Sequence, residues 1–409
     1  MQGCPIGIDI PGFIRLLREG DAVGALNKIK EQNVLPGVCG RICLAPCETA
    51  CVFNDEDASI GIRALERFAA DNGRGPRERG HNKVPPFSLN KKVAIIGSGP
   101  SGLAAAAVLA KKGFGVTVFE ALPQAGGALR YGVPEFRLPS RVLDAEIDAI
   151  ESLGVTIQTN TIIGKTVAMD ELTSQYQAVL LATGSGSPKP VHIPGSHLIG
   201  VYFAQEFLLR MNILDAASYP KTSTPSLLGS KVAVFGSGPT AFDCARLALR
   251  MGKKVSVVFP GLEEEVAVYP QDRKDAVDEG VKIESLTRPL EIMATKEHAV
   301  AGIKCERLDF TDDASGHWEV KAVPGSEFVL EADTVILAAG SKPSGAFKRF
   351  LPDLKFNDDD TVWVDAQTGK TSLDKFFASG NVTTGAGAVV DAIASGKRAA
   401  LAITEHLSE

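Results

Sequence analysis

Along the chain the hydrophobic positions change period several times, and each change marks an element. From Pro11 onward Phe13, Leu16, Leu17, Ala22, Ala25, Leu26 and Ile29 recur at three- and four-residue steps, as on one face of a helix. A second helical pattern, with Ile62, Leu65, Phe68 and Ala69, falls between Ile60 and Ala70. Residues 71–89 have no period and are rich in Gly, Arg, Asn and Pro, the composition of a linker. At Lys91 the pattern becomes strand, turn, helix, strand. Val93–Ile96 is a short apolar strand, Gly97-Ser-Gly99-Pro100-Ser101-Gly102 follows at once, 103–112 is an Ala- and Leu-rich helix, and 116–120 is a second strand ending in Glu120. The same order returns as 232–235, then Gly236-Ser-Gly238-Pro-Thr240-Ala241, a helix over 242–251 and a strand over 255–259. The copies align without a gap at an offset of 139 residues (97 onto 236), which predicts two βαβ dinucleotide-binding units. The segments 177–184, ending in Thr183-Gly184, and 333–340, ending in Gly340, read as strands that close such domains and mark crossings between them. Near the C-terminus, 376–381 reads as a strand ending in a turn at Gly380-Asn381, and 385–393, with Gly387, Ala388 and Val389, leads into a helix reaching about His406.

Composition fits this reading. The 409 residues suggest two to three domains, and 41 glycines without a Gly-X-Y period suit the many strand-to-helix turns of an α/β fold. A net charge of −6 with no basic tract argues against nucleic acid as a partner, and no apolar run reaches the length of a membrane span. Residues 1–11 lack the basic and apolar regions of a signal peptide, so a cytoplasmic location is expected.

In the first copy every part of the dinucleotide fingerprint is present. Gly97 permits the tight turn, Gly99 lets the backbone approach a pyrophosphate, Gly102 lets helix and strand pack closely, and Glu120 can accept ribose hydroxyls. In the second copy Ala241 replaces the third glycine, and Phe259-Pro260-Gly261 stands where a ribose-binding acid or a phosphate-binding arginine is usual. That copy therefore binds NAD(H) or NADP(H), or else keeps the fold with weakened binding. Between the copies the segment 126–139, with Gly127, Leu129, Arg130, Gly132 and Arg137, reads as a shaped loop without helix, placed to wall the reactive ring of a cofactor.

Five of the seven cysteines, Cys4, Cys39, Cys43, Cys47 and Cys51, lie in the first 51 residues. Pro46 rules out one continuous helix through the last four, so the segment must bend and can converge its sulfurs. Thiolates so grouped can hold a [4Fe–4S] cluster or zinc, and neighbouring nucleotide sites favour iron. One cluster needs four ligands, so a fifth cysteine is spare or serves a second cluster completed elsewhere. No C-x-x-C or C-x-x-x-x-C pair follows either fingerprint, which disfavours a dithiol–disulfide mechanism.

These residues carry a resemblance over nearly the full length. Val38-Cys39-Gly-Arg-Ile-Cys43, Pro46-Cys47-Glu48, Ile60-Gly61, Leu65-Glu66-Arg67-Phe68, the 126–139 loop, both fingerprints and the 380–399 stretch resemble the small (beta) subunit of NADPH-dependent glutamate synthase and its relatives. Those relatives include the N-terminal part of dihydropyrimidine dehydrogenase and the flavoprotein subunit of NADH-dependent ferredoxin:NADP oxidoreductase. The resemblance implies a glutathione-reductase-like flavoprotein of two Rossmann-like domains behind an N-terminal α-helical iron–sulfur domain. Its expected boundaries are 1–75 for the iron–sulfur domain, 76–90 for a linker, 91–225 with 341–409 for FAD and 226–340 for NAD(P). By carry-over Cys4, Cys43, Cys47 and Glu66 would hold one cluster and Cys51 would serve another, while the shorter cysteine loop leaves Cys39 or Cys51 as alternatives for the fourth place. Relatives that use NADPH carry an arginine pair where this chain has Pro260-Gly261, which favours NADH, and Asn381 replaces an aspartate near the flavin ribityl chain. The implied activity passes electrons between NAD(P)H, with NADH favoured, FAD and a [4Fe–4S] cluster, to or from a ferredoxin-like iron–sulfur partner protein or subunit. The alternative is an electron-transfer or docking subunit whose pyridine-nucleotide domain is vestigial.

Overall fold

The computed structural model describes residues 3–53, 60–74, 89–312 and 318–408, so most of the expected linker lies outside the described residues. The chain forms two compact units, one of residues 1–130, 135–187 and 341–409, the other of residues 131–134 and 188–340.

The first unit is built on a five-stranded parallel sheet in the order Phe376–Ala378, Ala178–Leu181, Lys92–Ile96, Gly115–Phe119, Thr156–Gln158. Its central strands are apolar and buried on both faces, as a parallel sheet covered by helices requires. Helix Pro100–Lys111 follows the first strand, and the 20-residue helix Val389–Ser408 packs on it. The two approach so closely that a Cβ on Gly396 would sit 2.2 Å from the Ser101 carbonyl oxygen. Helix Ser140–Glu151 buries Val142, Leu143, Ile147 and Ile150 on one stripe.

The N-terminal helices belong to the same unit. Ile10–Arg18 and Ala22–Lys30 are each capped by an aspartate, Asp9 on Gly12 N and Asp21 on Gly24 N. Pro36–Ile42 and Pro46–Thr49 each open on proline, and Ala45 between them adopts a left-handed φ of 53° that turns the chain sharply. Helix Ile62–Asn72 completes the group; Glu48 accepts the Arg63 N–H in its first turn.

The second unit repeats the sheet in the order Val201–Phe203, Thr334–Leu337, Lys231–Phe235, Lys254–Val258, Lys282–Glu284, all parallel. An antiparallel meander, Thr287–Ala294, Val300–Asp312 and Trp318–Ala322, is inserted before the closing strand, with Phe328–Leu330 also on its long middle strand. The main stretch of this compact unit runs over residues 188–340, and its edge strand Val201–Phe203 pairs with Thr334–Leu337. In the 126–139 segment, expected to hold no helix, Ala128–Tyr131 makes one helical turn, with Leu129 and Tyr131 buried on it. Among the described residues no helix is long and apolar enough to cross a membrane.

Candidate functional site

Three places concentrate the candidate residues. The first is the carboxyl rim of the first unit's sheet. Gly97 has φ +110°, and a Cβ there would lie 2.5 Å from the Ala182 carbonyl oxygen; at Gly102 it would lie 2.0 Å from the Gly97 carbonyl oxygen. Gly99 caps helix Pro100–Lys111 without a side-chain hydrogen bond, and nothing stands within 4 Å of the Cβ it lacks. The helix thus presents uncapped N–H groups and its positive dipole end to open space, the chemistry that receives a pyrophosphate. Gly127 backs onto Gly99, where a Cβ would meet the Gly99 Cα at 2.8 Å, and Gly380 backs onto Ser101 in the same way. Ser101 Oγ lies 2.6 Å from Ser379 Oγ. Thr183 sits against Gly97, with Gly184 at φ +66° next to it. Buried Glu120 accepts from Ser98 N at 3.0 Å and from Leu122 N at 2.9 Å, so its second oxygen keeps a lone pair for a hydroxyl. Arg130 is tied to Asp144 and the Ala125 carbonyl. Asn381 opens a single turn, Asn381–Thr384; a Cβ on Gly387 would meet its Oδ1 at 3.1 Å, and Ala388 and Val389 enter the long helix. Arg137 is half-buried on this unit, whereas Gly132 falls in the other, where Asn212 donates to the carbonyls of Tyr131 and Val133.

The second place is the corresponding rim of the second unit. Gly236 approaches the Ala338 carbonyl as Gly97 does that of Ala182, Gly238 caps helix Pro239–Arg250 with open space beside it, Thr240 is exposed and Ala241 is buried. Gly340 follows the closing strand at φ +96°. Past the second strand Phe259 is fully buried, so its side chain offers nothing polar, and Arg273 donates to the Glu263 carbonyl.

The third place is a small, partly open cavity in the first unit, lined by Cys4, Cys39, Cys43, Cys47 and Glu66 with Ile6, Phe13, Pro46 and Val390 among its apolar walls. The bend at Ala45 brings the sulfurs of both short helices to one space. Cys51 does not line it. The thiols surround the space and do not close on a point: among the described residues no three acidic, histidine or cysteine side chains are placed to bind a single ion. Burial pushes the thiols up, Cys43 to about 11, Cys47 to about 12 and Cys39 well above its ordinary value, with Glu66 adding to each. Glu66 is itself buried and pushed up to about 8, its carboxylate held by Asn33 Nδ2 at 2.8 Å. Ionised, a carboxylate in an apolar wall beside thiols is costly unless it pairs with a cation or metal.

Sequence reasoning did not single out Asn33, Glu146, Val390 or Lys397. Glu146 left a signal: it occupies a core position in the apolar stripe of its helix.

Comparison with known proteins separates the N-terminal segment from the remainder of the chain. The family of pyridine nucleotide-disulphide oxidoreductases matches residues 91–396, and the dihydropyrimidine dehydrogenase domain II, 4Fe-4S cluster, matches residues 1–77. The chain is 37% identical to the beta subunit of an NADP(+)-dependent formate dehydrogenase from Moorella thermoacetica, over all of this chain and 60% of that one. It is 36% identical to the beta subunit of an NADPH-Fe(3+) oxidoreductase from Geobacter sulfurreducens, over all of this chain and 63% of that one. It thus spans less than two thirds of both. The glutamate synthase [NADPH] small chain of Escherichia coli is 34% identical over 99% of this chain and 87% of that one. Among solved structures, Mycobacterium tuberculosis FprA in complex with NADPH shares the fold, with a TM-score of 0.62 and 22% identity over 79% of this chain and 85% of that one.

Proposed function

Because the chain belongs to the pyridine nucleotide-disulphide oxidoreductase family, with an N-terminal 4Fe-4S segment, we propose that it carries electrons from a reduced nicotinamide nucleotide, by way of FAD and a [4Fe–4S] cluster, to a partner iron–sulfur protein or subunit. The observation that carries this reading is that the cysteine cavity and the first fingerprint share one unit, and one helix serves both. Val390, in the first turn of helix Val389–Ser408, walls the cavity, and the glycine-opened approach to that helix borders the fingerprint rim. When bound, the flavin exchanges two electrons with a nicotinamide and single electrons with a cluster. The chain's residues bind and orient: the amides after Gly99 take the pyrophosphate, Glu120 the ribose, and the turn at 380–389 the far end of the cofactor.

For the cluster, Cys4, Cys43 and Cys47 supply three ligands, and Glu66 takes the fourth place in preference to Cys39. The support is the buried carboxyl facing the thiols, which a metal would hold ionised. In anaerobically reconstituted protein, Cys4→Ala, Cys47→Ala and Glu66→Ala should lose iron while Cys39→Ala and Cys51→Ala keep it; iron lost from Cys39→Ala and kept in Glu66→Ala reverses the assignment.

For the nucleotide, buried Phe259 and uncharged Pro260-Gly261 leave nothing at the strand end to pair with a 2′-phosphate, and this supports NADH. The relatives' names, which specify NADPH or NADP(+), stand on the other side. Anaerobic titration decides: flavin bleaching at lower NADH than NADPH is expected, the reverse order overturns the preference, and bleaching by neither favours a vestigial nucleotide domain.

A further inference from the structure

The cysteine cavity sits in the N-terminal segment, but two charged side chains that secure it come from far along the chain. Glu146, on helix Ser140–Glu151, is 2% exposed. Its carboxylate accepts Gly37 N at 2.6 Å and Val38 N at 3.3 Å and pairs with Arg74 Nη2 at 3.0 Å. Gly37 and Val38 lie in the first turn of helix Pro36–Ile42, which carries Cys39, ends beside Cys43 and has no side-chain cap from its own N-cap residue. Glu146 therefore caps it from 109 residues away in sequence. On another element, Lys397 of helix Val389–Ser408 donates from Nζ to Gln32 O at 2.9 Å, Gln32 Oε1 at 2.8 Å and Ile6 O at 3.3 Å. Ile6 lies in the turn closed by the Gly7 N–H on the Cys4 carbonyl, and Gln32 precedes Asn33, the donor to Glu66.

We propose that Glu146 and Lys397 are positioning residues: they latch the cysteine segment to the nucleotide-binding fold at two points and so fix the separation between cluster and flavin. The proposal rests on the reading that the cavity takes the cluster and the first fingerprint takes FAD. The residues suit the task. Each is rooted in a long helix of the nucleotide-binding fold, Glu146 in the one that follows the 126–139 segment and Lys397 in the one whose first turn walls the cavity. Each reaches backbone groups in a cysteine-bearing stretch, so each constrains the path of the chain and not merely a side chain. Hydrogen bonds accepted by a carboxyl group in a buried site, as at Glu146, are among the stronger ones available, and half-exposed Lys397 adds three weaker ones.

The test uses the full chain, loaded anaerobically with iron, sulfide and FAD, as wild type and as Glu146→Ala, Glu146→Gln, Lys397→Met and Lys397→Arg. After iron and flavin are counted, the flavin is reduced by a light flash and electron arrival at the cluster is followed by absorbance. Transfer should slow about tenfold in Glu146→Ala and Lys397→Met with iron and flavin contents unchanged, while Gln and Arg, which keep an acceptor and a donor, stay within about threefold of wild type. In the cluster-free chain, amides of residues 37–42 should exchange about tenfold faster in Glu146→Ala. Wild-type transfer in both truncations overturns the proposal, as does equal damage by the conservative and truncating variants, which marks a general loss of structure. Should Glu146→Ala fail to fold, half-exposed Lys397 decides. A wild-type chain that takes up no iron or no flavin overturns the underlying reading instead, and the exchange measurement still judges the latch.

Discussion

Gly99 and Gly102 stand three residues apart in one turn and make opposite demands. A methyl at Gly102 has no room, since the Gly97 carbonyl oxygen would be 2.0 Å away, whereas a methyl at Gly99 meets nothing within 4 Å. Gly102→Ala should therefore destabilise the flavin-free chain by about 2–3 kcal/mol, the cost of overpacking. Gly99→Ala should leave its melting unchanged and lower flavin content, because the space it fills is the one proposed for the cofactor; paired thermal melts and flavin counts separate the two. Such roles could be read from the sequence because a tight turn fixes them within six residues. The role of Glu146 could not: its partners Gly37, Val38 and Arg74 are distant in sequence, and only its place in an apolar stripe hinted at it.

Elements bounded by local signals were equally legible. The first strands and following helices of both fingerprint units lie within a few residues of where periodicity puts them, and the break at Pro46 is real. The meander at 287–322 and the edge strand Val201–Phe203 escaped, since their burial follows no clean alternation and their identity depends on a distant partner. In the second unit, helices Pro239–Arg250 and Pro270–Glu279 are joined by Glu279, which accepts from Arg246 and Arg250. These hydrogen bonds, Arg246's first, hold the Glu279 carboxyl below its ordinary value. A lowered carboxyl stabilises the fold above its unfolded pKa and loses that contribution as pH falls through its folded one. Glu279→Gln should accordingly cost about 1 kcal/mol at neutral pH and nothing in acid strong enough to protonate the wild-type group, as denaturant melts across that range would show.

On the scale of the whole molecule, both sheets place the fingerprint strand third and the closing strand second, but they recruit the outer strand differently. In the second unit it precedes the fingerprint, as Val201–Phe203; in the first it comes last, as Phe376–Ala378. Residues 188–340 thus hold an entire sheet in one uninterrupted stretch. Expressed alone, that fragment should melt cooperatively, and a non-cooperative melt would show that it depends on the remainder. The first unit has no such independence. Its outer strand, the helix that walls the cysteine cavity and Lys397 all lie in the last 34 residues, while the cysteines lie in the first 51. In translation, then, these thiols are made well before the helix that walls them in, and the proposed cluster can be fully enclosed only once helix Val389–Ser408 has been made.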